Sequence, residues 1–467
     1  MEVARERRIV LVAAFAGACV LALAFSLLAM RSLNMAVFGW LGVLMLTMLI
    51  IDPFVGLVNY LAFLYIRPQD FMPQLQGAPV MLMLGASTAA LVIVHKALHR
   101  RALVIAPVPQ HLFVIWVYVA VVMSRVAMGH VRGAFEASLD FVPTIVMYFL
   151  IVEMTDTPRR IKIIFNILVH LTLALSVQGI IQSFTGSGFG GQETVKGRIQ
   201  AVGIFADPND LALTINTVLP LALLLMMQSR SGMARMYNAF ISCVFLYSMY
   251  LTASRGGLLA LGAMAILLLQ RKMGKIVGVA AGFMVLAAII LLGPRMDTLS
   301  VEDASSYGRL EAWSLAMDLF KGSPLFGVGY QHYMDYHFRT AHNSYLLCAA
   351  ELGFFGLYPW IMMFYISYKN AVFIEKELLR RGERTFAMYA HALHLSLVVF
   401  FLGALLLSRT YHALLFIMIA MCASLSRVFV KTSEDRFSLI EKKDFAVGLV
   451  LTLGTLAGWE ILLRVLW

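Results

Sequence analysis

His342 and Asn343 stand where a long polar stretch, about residues 294–342, gives way to an apolar run. An imidazole at the first turn of a helix is biased towards its neutral form by the positive end of the helix dipole. Neutral imidazole is the form a general base requires. Arg198, Arg255, Arg309 and Arg339 fall in polar segments of the same kind. Guanidinium groups beside helix N-termini make a receptor for phosphate or diphosphate. The competing reading of an arginine or histidine at such a boundary is an interfacial anchor. Arg255 is less easily read that way, because Gly256 and Gly257 behind it permit close approach to the backbone. Glu351 lies inside the apolar run, where a carboxylate is costly and is a functional candidate by default, against a packing hydrogen bond to a neighbouring helix. Asp140 and His170 are read as structural. Asp207 and Asp210 form the only paired-carboxylate motif, and helix capping explains it better than a metal: Asp207 as N-cap, Pro208 at the first helical position, Asp210 in the acidic first turn.

The elements that hold these residues must cross a membrane. Of the 467 residues, 61% are hydrophobic and 13% charged, and the mean hydropathy is +0.82. A soluble fold does not hide that much apolar surface, and the runs lack the period of two of a transmembrane barrel. Apolar runs predict spans at about 9–29, 33–51, 53–66, 78–94, 110–128, 137–153, 161–184, 209–228, 236–252, 256–270, 276–293, 343–368, 387–407, 411–427 and 445–463. The run 53–66 is short enough for a tilted or re-entrant piece. The first run follows Arg5, Arg7 and Arg8 but is too long for a signal peptide and lacks an A-x-A site, so it is read as an uncleaved span. The net charge of +11 is read as topological and not as a nucleic-acid footprint. With the N-terminus in the cytoplasm, the cytoplasmic segments carry 24 of the 37 Lys and Arg, as the positive-inside rule requires. Four of the rest (Arg295, Arg309, Lys321 and Arg339) share one long outer loop.

Two outer-face regions break the apolar pattern. One is the Gly-rich stretch at about 185–208. The other is the long loop at about 294–342, in which Leu310, Trp313, Ala316, Met317 and Phe320 recur at helical spacing, predicting an amphipathic helix on the membrane surface. The helices opening at Asp207, Ser254 and about Asn343 all start on this face, so their free N–H groups share one side. Cys19, Cys243, Cys348 and Cys422 show no disulfide or zinc spacing. No phosphate-loop motif, no G-x-G-x-x-G opening a helix after a strand and no H-E-x-x-H is present, and neither metal nor cofactor is expected.

The segments GRIQAVGIFADPNDLA (197–212), LTASRGG (251–257), GRLEAW (308–313), SPLFGVGY (323–330) and AHNSYLLCAAELGFFGL (341–357) together resemble the bacterial O-antigen ligase and O-antigen polymerase superfamily. The resemblance implies an all-α polytopic bundle of about 12–15 spans in the bacterial inner membrane, GT-C-like, with a long periplasmic loop carrying amphipathic helices. It divides the chain into N-terminal transmembrane helices (1–184), a ligase-like core (185–370, including loop 294–342) and C-terminal transmembrane helices (371–467). It implies an inverting, metal-independent glycosyltransferase that moves a glycan from undecaprenyl diphosphate to an acceptor sugar, such as lipid A core, on the periplasmic side. By position, His342 matches the catalytic base, and Arg198 and Arg255 match the arginines that engage the diphosphate. Arg309 matches the Gly-Arg of the long loop, with Asn343, Glu351 and Arg339 in support. A polymerase of the same superfamily uses the same donor and motifs. A lipid-glycan flippase is the rival from another class, disfavoured because a flippase should carry its charges deeper, often between inverted repeats.

Overall fold

The computed structural model describes residues 52–67, 80–98, 106–188, 191–292, 299–433 and 438–466. The two expected spans at 9–29 and 33–51 lie outside the described residues. Fourteen α-helices are described, in chain order α1 (Pro53–Ile66), α2 (Val80–Leu98), α3 (Gln110–Ala127), α4 (Val131–Met154), α5 (Pro158–Thr185), α6 (Pro208–Met227) and α7 (Gly232–Leu251), then α8 (Arg255–Met273), α9 (Lys275–Leu292), α10 (Leu299–Gly322), α11 (Ser344–Arg380), α12 (Arg384–Ala404), α13 (Ala413–Thr432) and α14 (Lys442–Leu466). No strand occurs among the described residues, and nine of these helices are long and apolar enough to cross a membrane. The chain is a multi-pass, all-α membrane protein.

Local chemistry sets the helix starts. α1, α5 and α6 each open with a capping side chain followed by proline: Asp52 accepts from Phe54 N at 3.0 Å, Thr157 from Arg160 N at 3.3 Å and Asp207 from Asn209 N at 2.7 Å. Such a cap satisfies an N–H that has no partner in its own helix, and proline at the first position loses nothing because its missing N–H had no partner either. Helices α6, α11 and α13 form the buried centre, whereas α2 and α14 expose most of their apolar surface, as lipid-facing helices do.

α11 is broken. Gly353 has φ +62°, ψ −163°, outside helical space. The groups freed by the break are taken up by the SPLFGVGY segment. Phe354 N donates to Pro324 O at 2.8 Å and Phe355 N to Leu325 O at 3.0 Å; in return Val328 N donates to Ala350 O at 2.8 Å and Gly329 N to Glu351 O at 3.0 Å. A helix break at membrane depth is tolerated when protein groups re-satisfy the backbone in this way. A Cβ at Gly353 would collide with the Leu325 and Phe326 backbone, and one at Gly327 (φ +69°) with the Ala350 and Glu351 carbonyls. The two motifs ELGFFG and SPLFGVGY therefore form one clasp.

The amphipathic stripe of α10 is covered by protein. Ala316 and Met317 are buried with Tyr333, Leu346, Leu347 and Leu463, while Leu310, Trp313 and Phe320 pack around them. Trp313 stands edge-on to Trp459 of α14 with ring centroids 5.0 Å apart. The small residues Ala312 and Ala316 let neighbouring chain come close: Tyr333 donates its hydroxyl to Ala312 O at 2.7 Å. α10 is thus docked on α11 and α14, where the spacing alone suggested the lipid surface.

Candidate functional site

One wall of the site begins with a buried amide. At the end of α5, Gln182 donates to Gln192 O at 2.9 Å and Glu193 O at 3.3 Å, and accepts from Gln200 N at 2.8 Å. It fixes the Gly-rich loop, and with it Arg198. Arg198 donates through Nε to Thr252 O at 2.8 Å and through Nη2 to Asn209 Oδ1 at 2.8 Å. The Ser254 hydroxyl also donates to Asn209 Oδ1, at 2.8 Å, while accepting from Gly257 N at 3.2 Å as the N-cap of α8. Arg198 and Asn209 so lock the start of α8 to the start of α6. Only glycine fits at 257, where a Cβ would lie 2.8 Å from Ala212 Cβ.

The other wall is the turn between α12 and α13. Asp210, buried in the first turn of α6, holds Arg409 in a two-pronged ion pair. Arg409 N donates to Ser344 Oγ at 2.8 Å, and Thr410 donates its hydroxyl to Ser344 O at 2.8 Å. Asn343 caps α11 by accepting from Tyr345 N at 2.9 Å and Leu346 N at 3.0 Å, and donates to Leu405 O at 3.0 Å. His412 caps α13 through Nδ1 and reaches Ile204 O through Nε2 at 3.2 Å. Burial, with Arg409 adding to it, pushes His412 down to about 4. Four helix N-termini are therefore tied together at one end of the bundle.

Between these walls lies a cleft lined by Asn209, Asn216, Ser254, Gly256, Gly257 and Arg309, with Gly403, Leu406 and Leu407 opposite. Arg255 opens α8 with an exposed side chain, between the cleft residues Ser254 and Gly256. His342 precedes the α11 cap in the left-handed region, φ +48°, a conformation uncommon outside glycine that tends to mark functional turns. Burial lowers its imidazole below the ordinary value, Arg309 adds to this, and Arg409 and Arg339 add less; Asp207 opposes them. The balance favours the neutral imidazole. Arg339 is exposed, stacked on Phe338 with its guanidinium carbon 4.9 Å from the ring centroid.

The structure thus gathers His342, Arg309, Arg255, Arg198 and Arg339 at one end of the molecule. Asn343 is there too, with its side chain spent on capping. The buried carboxylate of Glu351 accepts from Tyr411 Oη at 2.8 Å and Tyr333 N at 3.2 Å, tying α11 to two loops. Sequence reasoning missed Arg409, Asn209 and His412. Arg409 had a readable signal, a lone arginine in the short turn between two apolar runs, on the side that the charge count expects to be poor in cations.

Residues 240–361, about a quarter of the chain, match the family described as O-antigen ligase. The match takes in Arg255, Arg309, Arg339, His342 and Glu351, and leaves Arg198 and Arg409 outside. No curated protein matches the chain. The match supports a glycosyltransferase of the O-antigen ligase and polymerase superfamily, for which a lipid-linked glycan and a membrane setting are implied.

Proposed function

We propose that the chain is an inverting glycosyltransferase that moves a glycan from a polyprenyl diphosphate to an acceptor sugar hydroxyl at the extracytoplasmic face, in the manner of an O-antigen ligase. The observation that carries this is the place of His342, at the start of α11 where four helix N-termini are tied together, with Arg309, Arg409 and Arg339 near enough to disfavour its protonated form. His342 takes the proton of the acceptor hydroxyl. The hydroxyl oxygen bonds to the sugar C1 as the bond from C1 to the diphosphate oxygen breaks, and the electron pair leaves on the diphosphate. Negative charge grows on the leaving group, so fixed guanidinium groups and helix N–H groups lower the barrier. Arg255 and Arg309 contact the diphosphate. Arg198 places Asn209 and Ser254 behind them. The cleft itself encloses about 20 Å³, the room of a water molecule, so the diphosphate sits at its mouth.

A place for the lipid adjoins it. Leu405 lines an apolar groove of about 600 Å³ between α11, α12 and α14, together with Tyr345, Phe364, Phe401 and Trp459. Its neighbours Leu406 and Leu407 line the polar cleft. A polyprenyl tail in that groove delivers its diphosphate to the Arg255 side.

The test is transfer by the purified protein in liposomes, from a polyprenyl-diphosphate glycan to purified lipid A core. Core-linked glycan formed by the wild type and not by His342→Ala is the expected result. Elongation of the lipid-linked glycan with no core product assigns a polymerase, and passage of donor across the bilayer with no new glycosidic bond refutes the transferase.

A further inference from the structure

Far from the cleft, near the other end of α11, Glu375 meets His391 and His394 of α12. Position 375 lies about 50 Å along the chain path of α11 from His342, at a rise of about 1.5 Å per residue. The ligand atoms of the three residues lie within 4.8 Å of one another. Glu375 Oε2 is 3.3 Å from His391 Nδ1 and 3.2 Å from His394 Nδ1. Two ligands each about 2.0–2.1 Å from one tetrahedral zinc ion are about 3.3–3.4 Å apart, so the carboxylate already stands at the right separation from both rings. The imidazoles, one helical turn apart, lie edge to face with centroids 4.7 Å apart.

The frame is rigid. Beyond Glu375, Arg380 and Arg381 both bind Glu377, at 2.7 and 2.9 Å, and Glu383 N returns to Leu378 O at 2.9 Å, closing the α11–α12 hairpin. The Glu375 side chain is only 8% exposed, so its carboxylate faces the two imidazoles and little water. Glu375 and His391 also line a cavity of about 580 Å³, with Met226, Met227 and Met388 in its walls. A fourth ligand, water or thioether, enters from that side.

We propose that Glu375, His391 and His394 form a binding site for a divalent first-row transition metal of the zinc type. Two imidazoles and one carboxylate suit zinc or cobalt and not the oxygen-seeking magnesium or calcium. Bound metal staples α11 to α12. The opposite ends of the same two helices carry His342 and the Gly403–Leu407 wall, so the staple holds the two sides of the cleft in register. The site is independent of which reaction the cleft performs.

The experiment uses the full chain in detergent, purified through a tag without histidine, stripped with chelator and titrated with Zn2+ and separately with Co2+. The wild type is expected to take up one equivalent, to show the visible absorption of tetrahedral cobalt, and to gain thermal stability with zinc until that equivalent is filled. His391→Ala with His394→Ala abolishes all three. Glu375→Gln, which keeps a hydrogen-bonding group between the rings, weakens uptake at least about 10-fold. A wild type without saturable one-equivalent uptake overturns the site and leaves a histidine–carboxylate cluster that only shares protons. Equal uptake by the double variant, folded as judged by helicity and monodispersity, also overturns it. If the double variant does not fold, the wild-type titration and Glu375→Gln decide.

Discussion

The carboxylate of Asp210 and the guanidinium of Arg409 are 199 residues apart in the chain and form a two-pronged ion pair between the first turn of α6 and the turn before α13. Asp210 is 4% exposed. Removing one partner of such a pair leaves a buried charge alone, which costs roughly 3–5 kcal/mol. Arg409→Ala is expected to lower the thermal midpoint of the detergent-solubilised protein accordingly. Arg409→Lys recovers only part, because an ammonium cannot reproduce the planar fork. A full recovery by lysine would show that charge alone matters.

His342→Ala is expected to slow transfer by about 10²–10⁴-fold with little change in unfolding. The measurement is the rate under saturating donor and acceptor. An unchanged rate removes His342 from the mechanism.

The pH profile follows from the depressed imidazole. Base activity requires the neutral form, so it is full near neutrality and falls as pH drops through the folded value, which lies below the ordinary ~6.5. Arg309 is the largest charged contributor to that depression. Arg309→Gln therefore moves the acid limb of kcat/KM to higher pH, besides lowering its height. A limb that stays in place separates the two residues.

Arg255 is exposed and opens α8 between Ser254 and Gly256, which line the cleft. Arg255→Ala is expected to reduce transfer about as severely as the loss of His342, on the order of 10²–10⁴-fold. Arg255→Lys should regain a fraction, since the charge survives and the bidentate geometry does not. Donor binding measured apart from turnover tells whether the loss is in the ground state or the transition state.

The clasp at Gly353 makes a stability prediction. Gly353→Ala adds a Cβ at positive φ against the Leu325 backbone, combining roughly 1–3 kcal/mol of backbone strain with a steric displacement. Lower yield and a lower unfolding midpoint are expected, and Gly454→Ala in α14, where a Cβ meets nothing within 4 Å, should be milder.

The membrane architecture was legible because apolar runs and caps are local signals. Every expected span from 53–66 onward falls on a described helix; Asp207 is the N-cap it was expected to be, and the helix starts expected at Ser254 and near Asn343 are capped by those residues. Pairings between distant segments were not legible. Asp210 was readable as an acidic first-turn residue, but nothing local says that its cation comes from Arg409. The short span at 53–66 is a 14-residue helix, yet the break that matters lies at Gly353, inside a run that reads as continuous. The i, i+3 spacing of His391 and His394 stands in the sequence, but Glu375 joins them only through the packing of two helices. Arg198 was picked out for its type, and its partners Thr252 and Asn209 appear only when the loop is folded.

The interrupted backbone at Gly353 also bears on how the protein meets bilayers of different thickness. A continuous rod of 37 residues would carry any tilt of its inner length straight to His342. With the break, backbone groups on both sides of Gly353 are held by 323–330 instead of by each other, so any tilt of α11 is shared with that segment. On the proposed function, the geometry at His342 would then depend on the clasp as well as on the helix, and clasp variants would alter how transfer responds to acyl-chain length.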